Sequence, residues 1–168
     1  MKRALVAGCV LAAVAAALAG CGGSSNGGAA SEQSLQREAN LYQIDQIEQT
    51  WHKAASTHNV PLMMTLWAPG ATFNIGTDTY TGKTQIRRFF ETKNAAFMPQ
   101  HHWESDTPSY KMKVTLSGDK ATLYFECHYV DVKTGKLMSV VGVDHSLQKI
   151  KGTWLIVDGS GSTATLST

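Results

Sequence analysis

Two long segments in the second half of the chain, residues 121–132 and 137–150, constrain its fold most strongly. In the first segment, apolar side chains alternate with polar ones such as Glu126 and His128. A strand turns successive side chains to opposite faces, so this period of two predicts a strand with one buried face. A turn signal at residues 133–135 leads to the second segment, and we expect the two strands to form a long antiparallel hairpin.

Further strand signals lie on both sides of this hairpin. Residues 109–116 alternate in the same way, and residues 154–158 follow a Lys-Gly turn as a closing strand. Residues 71–75 and 77–80 form a shorter predicted hairpin earlier in the chain. Because helical segments come first and an antiparallel meander follows, the order predicts an α+β domain.

Three helices are predicted ahead of the meander. Residues 34–58 carry apolar side chains three and four positions apart, which is the period of an amphipathic helix. Residues 61–67 follow as a short helix, because Asn59 can cap its start and Pro61 suits its first turn. Residues 83–93 form the third helix. The faces expected to be buried are Ile44, Ile47, Trp51, Ala54 and His58 in the first helix and Ile86, Phe89 and Phe90 in the third.

Four motifs follow one another between residues 40 and 158, and together they suggest a family. The first is a helix containing Trp51 that leads into an apolar-x-Pro-x-Ala-x-Phe sequence. The other three are Gly82-Lys83-Thr84-Gln85-Ile86, Gly118-Asp119-Lys120-Ala121 and Gly152-Thr153-Trp154-Leu155-Ile156. In this order the four motifs resemble the SnoaL-like branch of the nuclear transport factor 2-like superfamily.

The resemblance implies a cone: a strongly curved antiparallel sheet wrapped around a long N-terminal helix, with a pocket at the open end. We assign this domain to residues 34–159 and a C-terminal tail to residues 160–168. Members often dimerise through the outer sheet face, so a homodimer is expected. The superfamily includes ketosteroid isomerase, scytalone dehydratase, polyketide cyclases and limonene epoxide hydrolase, and also non-enzymatic association domains, so the fold leaves the function open.

The N-terminus has the layout of an export signal at residues 1–20. Two basic residues precede an apolar run at residues 4–19, which is shorter than the roughly 20 residues of a membrane-spanning helix. The run ends in Leu18-Ala19-Gly20-Cys21, which resembles the lipobox of bacterial lipoproteins, where the cysteine is lipidated and becomes the first residue. We expect lipidation at Cys21 and a membrane-anchored location on the exported side of a bacterial cell envelope.

The composition of the remaining chain is that of one tethered domain. Residues 21–33 are rich in Gly and Ser and are expected to form a flexible tether. The 148 residues from Cys21 onward suit a single domain. Removal of Lys2 and Arg3 from the 15 basic residues leaves them balanced against 13 acidic ones, and without a basic cluster nucleic acid is not expected as a partner.

Cysteine and histidine spacing predicts neither a disulfide nor a metal site. If a lipid occupies Cys21, Cys127 has no partner for an intrachain disulfide and is expected to be a small core residue. His52 and His58 lie six positions apart and do not share a helical face, so no metal is expected. The sequence has no GxGxxG motif or P-loop, and no cofactor is expected.

Three residues are candidates for general acid–base catalysis. The resemblance implies an Asp near Asp144, and because His145 follows it on the same strand, one of the two faces the pocket and the other faces outward. The resemblance also puts His101 and His102 at the opening of a strand where one ring points into the cavity. Burial moves such a group's pKa toward neutrality, which suits proton transfer. The alternatives are an outer-face Asp144 paired with a lysine and two solvent-exposed histidines.

The expected wall of the pocket consists of aromatic and apolar residues. In the superfamily the long helix contributes one aromatic residue, for which Trp51 and Tyr42 are candidates, although Trp51 and Trp67 also suit an ordinary core. Glu126 and His128 are expected to form an ion pair on the outer face. The expected ligand-binding residues are Tyr42, Trp51, Trp67, Phe73, Phe90, Met112, Phe125, Tyr129 and Val141.

These observations favour a lipid-anchored envelope protein whose pocket binds a small hydrophobic ligand or a partner, because the sequence offers no convincing acid–base pair. The first alternative is an isomerase, cyclase or dehydratase that uses Asp144 or one of the paired histidines. The second alternative is a non-catalytic dimerisation module.

Overall fold

The computed structural model describes residues 26–106 and 111–165, which form three helices, a 3₁₀ turn and seven strands. Within these residues, no helix is both long enough and apolar enough to cross a membrane. The helices are α1 (Asn26–Ser56), α2 (Val60–Met63) and α3 (Gly82–Thr92), and the 3₁₀ turn is Ala95–Phe97. The strands are β1 (Trp67–Ile75), β2 (Asp78–Thr81), β3 (Trp103–Asp106), β4 (Lys113–Ser117), β5 (Lys120–Asp131), β6 (Leu137–Ile150) and β7 (Thr153–Thr165).

The seven strands form one sheet in the order β2-β1-β7-β6-β5, with β3 and β4 sharing the free edge of β5. β5 and β6 pair over most of their lengths, as the alternating segments predict. The expectation of a wholly antiparallel sheet is wrong at one junction, because β1 runs parallel to β7. A parallel pair needs a long connection, and almost the whole domain lies between these two strands. The α+β cone predicted from the sequence is otherwise confirmed.

The sheet curves around α1 and encloses the core. Register shifts interrupt β5–β6 at Tyr129/Val130 and β6–β7 at Ser146/Leu147. Such bulges bend a strand and increase its local twist, and both therefore contribute to the curvature of the sheet. The face of α1 that carries Ile44, Ile47 and Trp51 is buried against the concave side. The predicted inward residues of β5, from Ala121 to Tyr129, are buried with it.

Asn59 and Pro61 start α2 as their positions predict. The Asn59 side-chain oxygen accepts a hydrogen bond from the Leu62 amide at 2.9 Å, and Pro61 occupies the first turn. This cap is the ordinary N-terminal arrangement of a helix. The helix ends at Met63 rather than at residue 67, and β1 begins at Trp67 with its ring fully buried.

Several predicted boundaries are corrected. The helix α1 begins at Asn26, so residues 26–33 are helical and not a loose tether. Helix formers such as Ala, Glu and Gln favour the helix only from Ala29 onward, whereas Gly27 and Gly28 disfavour it. β7 continues to Thr165, and the expected tail at 160–165 is therefore paired with β6. The predicted signal peptide, Cys21 and residues 107–110 lie outside the described residues.

Candidate functional site

A cavity of about 300 Å³ opens between α1, the chain around the 3₁₀ turn and the concave face of the sheet. Its wall is mainly aromatic and aliphatic, and a few polar side chains interrupt it. A volume of this size lies at the lower end of the range for small-molecule pockets. The lining residues are Trp51, Phe73, Ile75, Asp78, Tyr80, Phe89, Lys93, Asn94, Ala95, Ala96, Trp103, Tyr129, Ser139, Val141 and Val143.

Trp51 on α1 is the centre of the aromatic wall. Its ring centroid lies 6.5 Å from that of Phe73 and 5.7 Å from that of Phe90, in edge-to-face geometry. Edge-to-face pairs at such distances stabilise a core beyond the area that they bury. Because Trp51 is 3 % exposed, the rings behind it fix its position, and the cavity has a preformed inner wall.

Three polar side chains form a closed network at the outer rim of the cavity. The Lys93 ammonium donates to Asp78 Oδ2 at 3.1 Å and to Tyr80 Oη at 3.0 Å, and Tyr80 Oη donates to the same carboxylate oxygen at 2.9 Å. The hydrogen bonds from Lys93 and Tyr80, in that order, lower the pKa of Asp78. The partners Tyr80 and Asp78 likewise raise the pKa of Lys93. The rim therefore carries a neutralised ion pair in solvent rather than an isolated charge.

Two hydroxyl groups belong to the inner sheet wall. Tyr129 on β5 and Ser139 on β6 are direct neighbours across the strand pair, and each is 5 % exposed. Burial, above all, raises the pKa of Tyr129 well above its ordinary value, so its hydroxyl stays protonated. The neighbouring Cys127 thiol is also buried, and burial raises its pKa to about 12 despite hydrogen-bond partners at Tyr129 and Ser105.

His145 lies behind the cavity wall in an aromatic cage. Its ring centroid is 5.0 Å from that of Trp51, 5.6 Å from that of Phe125 and 5.8 Å from that of Trp67. Within the described residues, neither ring nitrogen has a hydrogen-bond partner. Burial lowers the pKa of His145 to about 3, so the imidazole is neutral at physiological pH.

Position 159 has to be a glycine because the His145 ring lies directly against its backbone. A Cβ atom on Gly159 would lie 2.7 Å from His145 Nδ1 and 3.0 Å from the Trp67 ring. Neither ring can move away, because both are held in the packed aromatic core. The close approach of β7 to the cage therefore depends on a residue without a side chain.

A second buried polar group, formed by Glu48, His52 and Ser105, connects α1 to β3. His52 Nδ1 lies 2.6 Å from Ser105 Oγ, while His52 Nε2 lies 3.3 Å from Glu48 Oε1 outside good hydrogen-bond geometry. Both α1 side chains are almost completely buried, yet they border a groove of about 410 Å³ on the side of Met112. Sequence reasoning did not find this group, although Glu48 and His52 are one helical turn apart beside the apolar face.

The predicted catalytic residues do not meet in the cavity. Asp144 is exposed on the outer face, opposite Tyr124 and Ser160, and the inward member of the Asp144–His145 pair is the histidine. The alternation along β6 puts neighbours on opposite faces, and Val143 already faces inward. His102 is exposed, and the half-buried His101 ring lies against Trp103 at 4.4 Å without lining the cavity.

The predicted ligand-binding residues divide into four groups. Four of them line the cavity, namely Trp51, Phe73, Tyr129 and Val141. The rings of Trp67, Phe90 and Phe125 are buried behind it as core. Met112 borders the Glu48–His52 groove instead, and Tyr42 is 66 % exposed on the far side of α1. Positions 42 and 51 are nine apart on a helix, which brings them to different faces.

The outer face of the sheet carries the ion pair expected there. His128 Nε2 lies 3.1 Å from Glu126 Oε2, and Tyr124 Oη donates to Glu126 Oε1 at 2.9 Å. The hydrogen bonds from His128 and Tyr124, in that order, lower the pKa of Glu126. Among the described residues, no group of three or more His, Cys, Asp or Glu side chains is arranged to hold a metal ion.

Comparison with known proteins defines the class of this domain. Residues 36–158 match the model of the SnoaL-like domain family. The chain therefore belongs to the SnoaL-like family, and its fold is the nuclear transport factor 2-like, or cystatin-like, fold. No curated protein matches the chain significantly.

Solved structures of the same fold include proteins without a stated function and enzymes. A nuclear transport factor 2-like protein from Novosphingobium aromaticivorans is 15 % identical, with a TM-score of 0.69 over 89 % of this chain and 95 % of the other. A protein of unknown function from Pseudomonas putida is 14 % identical, with a TM-score of 0.64 over 74 % and 87 % of the two chains. A hexachlorocyclohexane dehydrochlorinase from Novosphingobium barchaimii is 14 % identical, with a TM-score of 0.65 over 80 % and 94 %. These likenesses establish the fold alone.

Proposed function

We propose that this protein is a lipid-anchored protein of a bacterial cell envelope that binds a small hydrophobic molecule in the cavity beside Trp51. The observation that carries the proposal is the composition of the cavity wall. Six aromatic side chains and several aliphatic ones line it, whereas its rim charges, Asp78 and Lys93, neutralise each other. Such a site gains free energy from the removal of apolar ligand surface from water.

The anchor is supported by the sequence around Cys21. A basic start, an apolar run and the segment Leu18-Ala19-Gly20-Cys21 follow one another as in bacterial lipoproteins. Two or more acyl chains hold a protein stably at a membrane. A cavity held there would take up molecules that partition into the bilayer.

Mass spectrometry of the chain purified from the membranes of its own host tests both parts of this proposal. Under denaturing conditions, we expect the mass of the chain from Cys21 onward plus acyl groups, retained in a Cys9→Ala variant and lost in Cys21→Ala. Under native conditions, we expect an additional small molecule that dissociates on unfolding. An unmodified N-terminus would contradict the anchor, and a ligand-free protein that also binds no apolar probe would contradict the binding function.

An acid–base enzyme is the second candidate, and the Glu48–His52–Ser105 group favours it. His52 lies between a carboxylate and a hydroxyl, which is an arrangement that can move a proton. The same fold supports a hexachlorocyclohexane dehydrochlorinase. If this candidate is right, His52→Gln abolishes turnover of a substrate that the chain still binds, whereas unchanged turnover would exclude a catalytic role for His52.

A further inference from the structure

The groove beside Met112 is separate from the cavity beside Trp51. Its volume of about 410 Å³ lies within the range of small-molecule sites. Its described lining consists of Asp45, Glu48, Gln49, His52, Lys53, Ser56, Ser105 and Met112. None of these residues lines the cavity, and all of them except Met112 are polar. The groove therefore offers a kind of chemistry that the apolar cavity does not.

Ser105, His52 and Glu48 contact one another in that order at the groove. His52 Nδ1 lies 2.6 Å from Ser105 Oγ, and His52 Nε2 lies 3.3 Å from Glu48 Oε1. A hydroxyl next to an imidazole that is itself next to a carboxylate is the arrangement that activates a nucleophilic serine. The contact with Glu48 is longer than a good hydrogen bond, as catalytic contacts often are before a substrate binds.

The direction of the hydrogen bonds in this group follows from Glu48. A carboxylate can only accept, so the imidazole proton is favoured on Nε2, which faces Glu48, and Nδ1 is left to accept from the Ser105 hydroxyl. The other partner of Ser105 is the buried Cys127 thiol, which is a weak acceptor. The serine proton is therefore directed to His52, and Glu48 stabilises the imidazolium that forms when His52 takes it.

The three side chains are held by packed elements. Glu48 and His52 are one helical turn apart on α1, their exposed fractions are 4 % and 3 %, and the His52 ring centroid lies 5.5 Å from that of Phe125. The Ser105 amide donates to Ser56 Oγ at 2.8 Å, and the Ser105 carbonyl accepts from the same hydroxyl at 3.3 Å. Ser105 itself is only partly buried and borders the groove, where a small molecule can contact it.

We propose that Ser105 is the nucleophile of an acyl-transfer site that hydrolyses small esters in this groove. Ser105 Oγ attacks the carbonyl carbon while its proton passes to His52 Nδ1, and the same proton then leaves with the alcohol as the ester C–O bond breaks. Water, whose proton His52 takes, cleaves the acyl–serine bond, releases the acid and restores the hydroxyl. Lys53 is exposed and borders the groove, and its ammonium can offset the negative charge that develops on the carbonyl oxygen.

This inference deepens the second candidate function, on which it rests, and covalent labelling tests it. We would treat the purified full chain with phenylmethanesulfonyl fluoride, from which an activated serine displaces fluoride, and locate the sulfonyl group by peptide mass spectrometry. The expected result is that Ser105 reacts at least about 100-fold faster than any other serine and that His52→Gln removes this advantage, because general-base catalysis contributes that much. Glu48→Gln should slow the reaction to a smaller extent. The wild-type chain should also hydrolyse 4-nitrophenyl acetate, and Ser105→Ala should abolish this activity.

The matched control is His128→Gln, which removes a histidine that contacts a carboxylate on the outer face of the sheet and should leave the labelling rate unchanged. Thermal unfolding shows whether each variant has folded, and the wild-type labelling result needs no variant. Absence of labelling at Ser105, labelling that His52→Gln does not slow, or ester hydrolysis that survives Ser105→Ala would overturn the acyl-transfer site. If His52-dependent turnover of another substrate remained in that case, the acid–base candidate would stand and only the nucleophilic role of Ser105 would be excluded.

Discussion

His145 is a neutral base enclosed by aromatic rings, and its burial links folding to pH. Burial lowers its pKa from 6.5 to about 3 in the folded protein. Between these values the unfolded chain binds a proton that the folded protein does not, so stability falls as the pH falls below 6.5. Above pH 6.5 neither state is protonated, and the effect disappears.

The variant His145→Leu should remove this part of the pH dependence. From pH 7 to pH 4.5 we expect the wild-type protein to lose about 2–3 kcal/mol more of its free energy of unfolding than the variant loses. Urea denaturation at both pH values measures the difference, and carboxylates with lowered pKa, such as Asp78, contribute equally to both proteins. Parallel stability curves would show that His145 is protonated in the folded state.

At the scale of elements, one wall of the cavity depends on how β3 joins α1. The Ser105 amide donates to Ser56 Oγ at 2.8 Å, and His52 contacts the Ser105 hydroxyl from the preceding helical turn. Trp103, which lines the cavity, is part of this short strand. The link between Ser56 and Ser105 therefore positions one wall of the cavity.

Removal of this link by Ser56→Ala should loosen β3 selectively. The variant removes two partly buried hydrogen bonds, because Ser56 Oγ also donates to the Ser105 carbonyl at 3.3 Å, and each loss costs about 1 kcal/mol. We expect amide hydrogen exchange at residues 103–106 to become at least several-fold faster while β6 and β7 keep their protection. Thr57→Ala, which removes an exposed hydroxyl bonded to the Lys53 carbonyl, is the matched control. Unchanged exchange in β3 would show that the other contacts of the strand hold it in place.

The long elements could be predicted from the sequence, whereas the short ones could not. The alternation in β5 and β6 and the apolar spacing in α1 extend over many residues, and these patterns identify the elements and their buried faces. β3 has four residues, too few for a period to be recognised, and its edge position comes from pairing with β5. The parallel pairing of β1 with β7 joins segments far apart in the chain, and no local pattern encodes it.

The site was less predictable than the fold for a related reason. Alternation on β6 predicts that Asp144 and His145 face opposite ways, but it does not say which of them faces inward. The apolar neighbours Val141 and Val143 share the face of His145, and this pattern in the sequence indicates that His145 is the inward residue. The Tyr129–Ser139 pair depends on a bulge at the next residue, which sets the strand register and has no clear mark in the sequence.

At the scale of the whole molecule, the start of α1 bears on how close the domain lies to a membrane. α1 begins at Asn26, so if Cys21 carries a lipid, at most about 18 Å of chain separates the anchor from the helix. The longer tether expected at residues 21–33 would have allowed the domain to lie at a wider range of distances from the membrane. Trp51 lies about 38 Å further along α1, at 1.5 Å of rise per residue, so the cavity reaches the bilayer surface only if α1 is inclined toward the membrane.

The most direct test of the central claim is the affinity of the cavity for a neutral aromatic probe, N-phenyl-1-naphthylamine, in two neighbouring variants. Val141 lines the cavity, whereas Val140 lies on the opposite face of β6. Fluorescence titration should show that Val141→Phe weakens binding at least tenfold, or about 1.4 kcal/mol, and that Val140→Phe binds as tightly as the wild-type protein. Equal affinities for all three proteins, or no binding by the wild-type protein, would contradict the claim that this cavity is a ligand site.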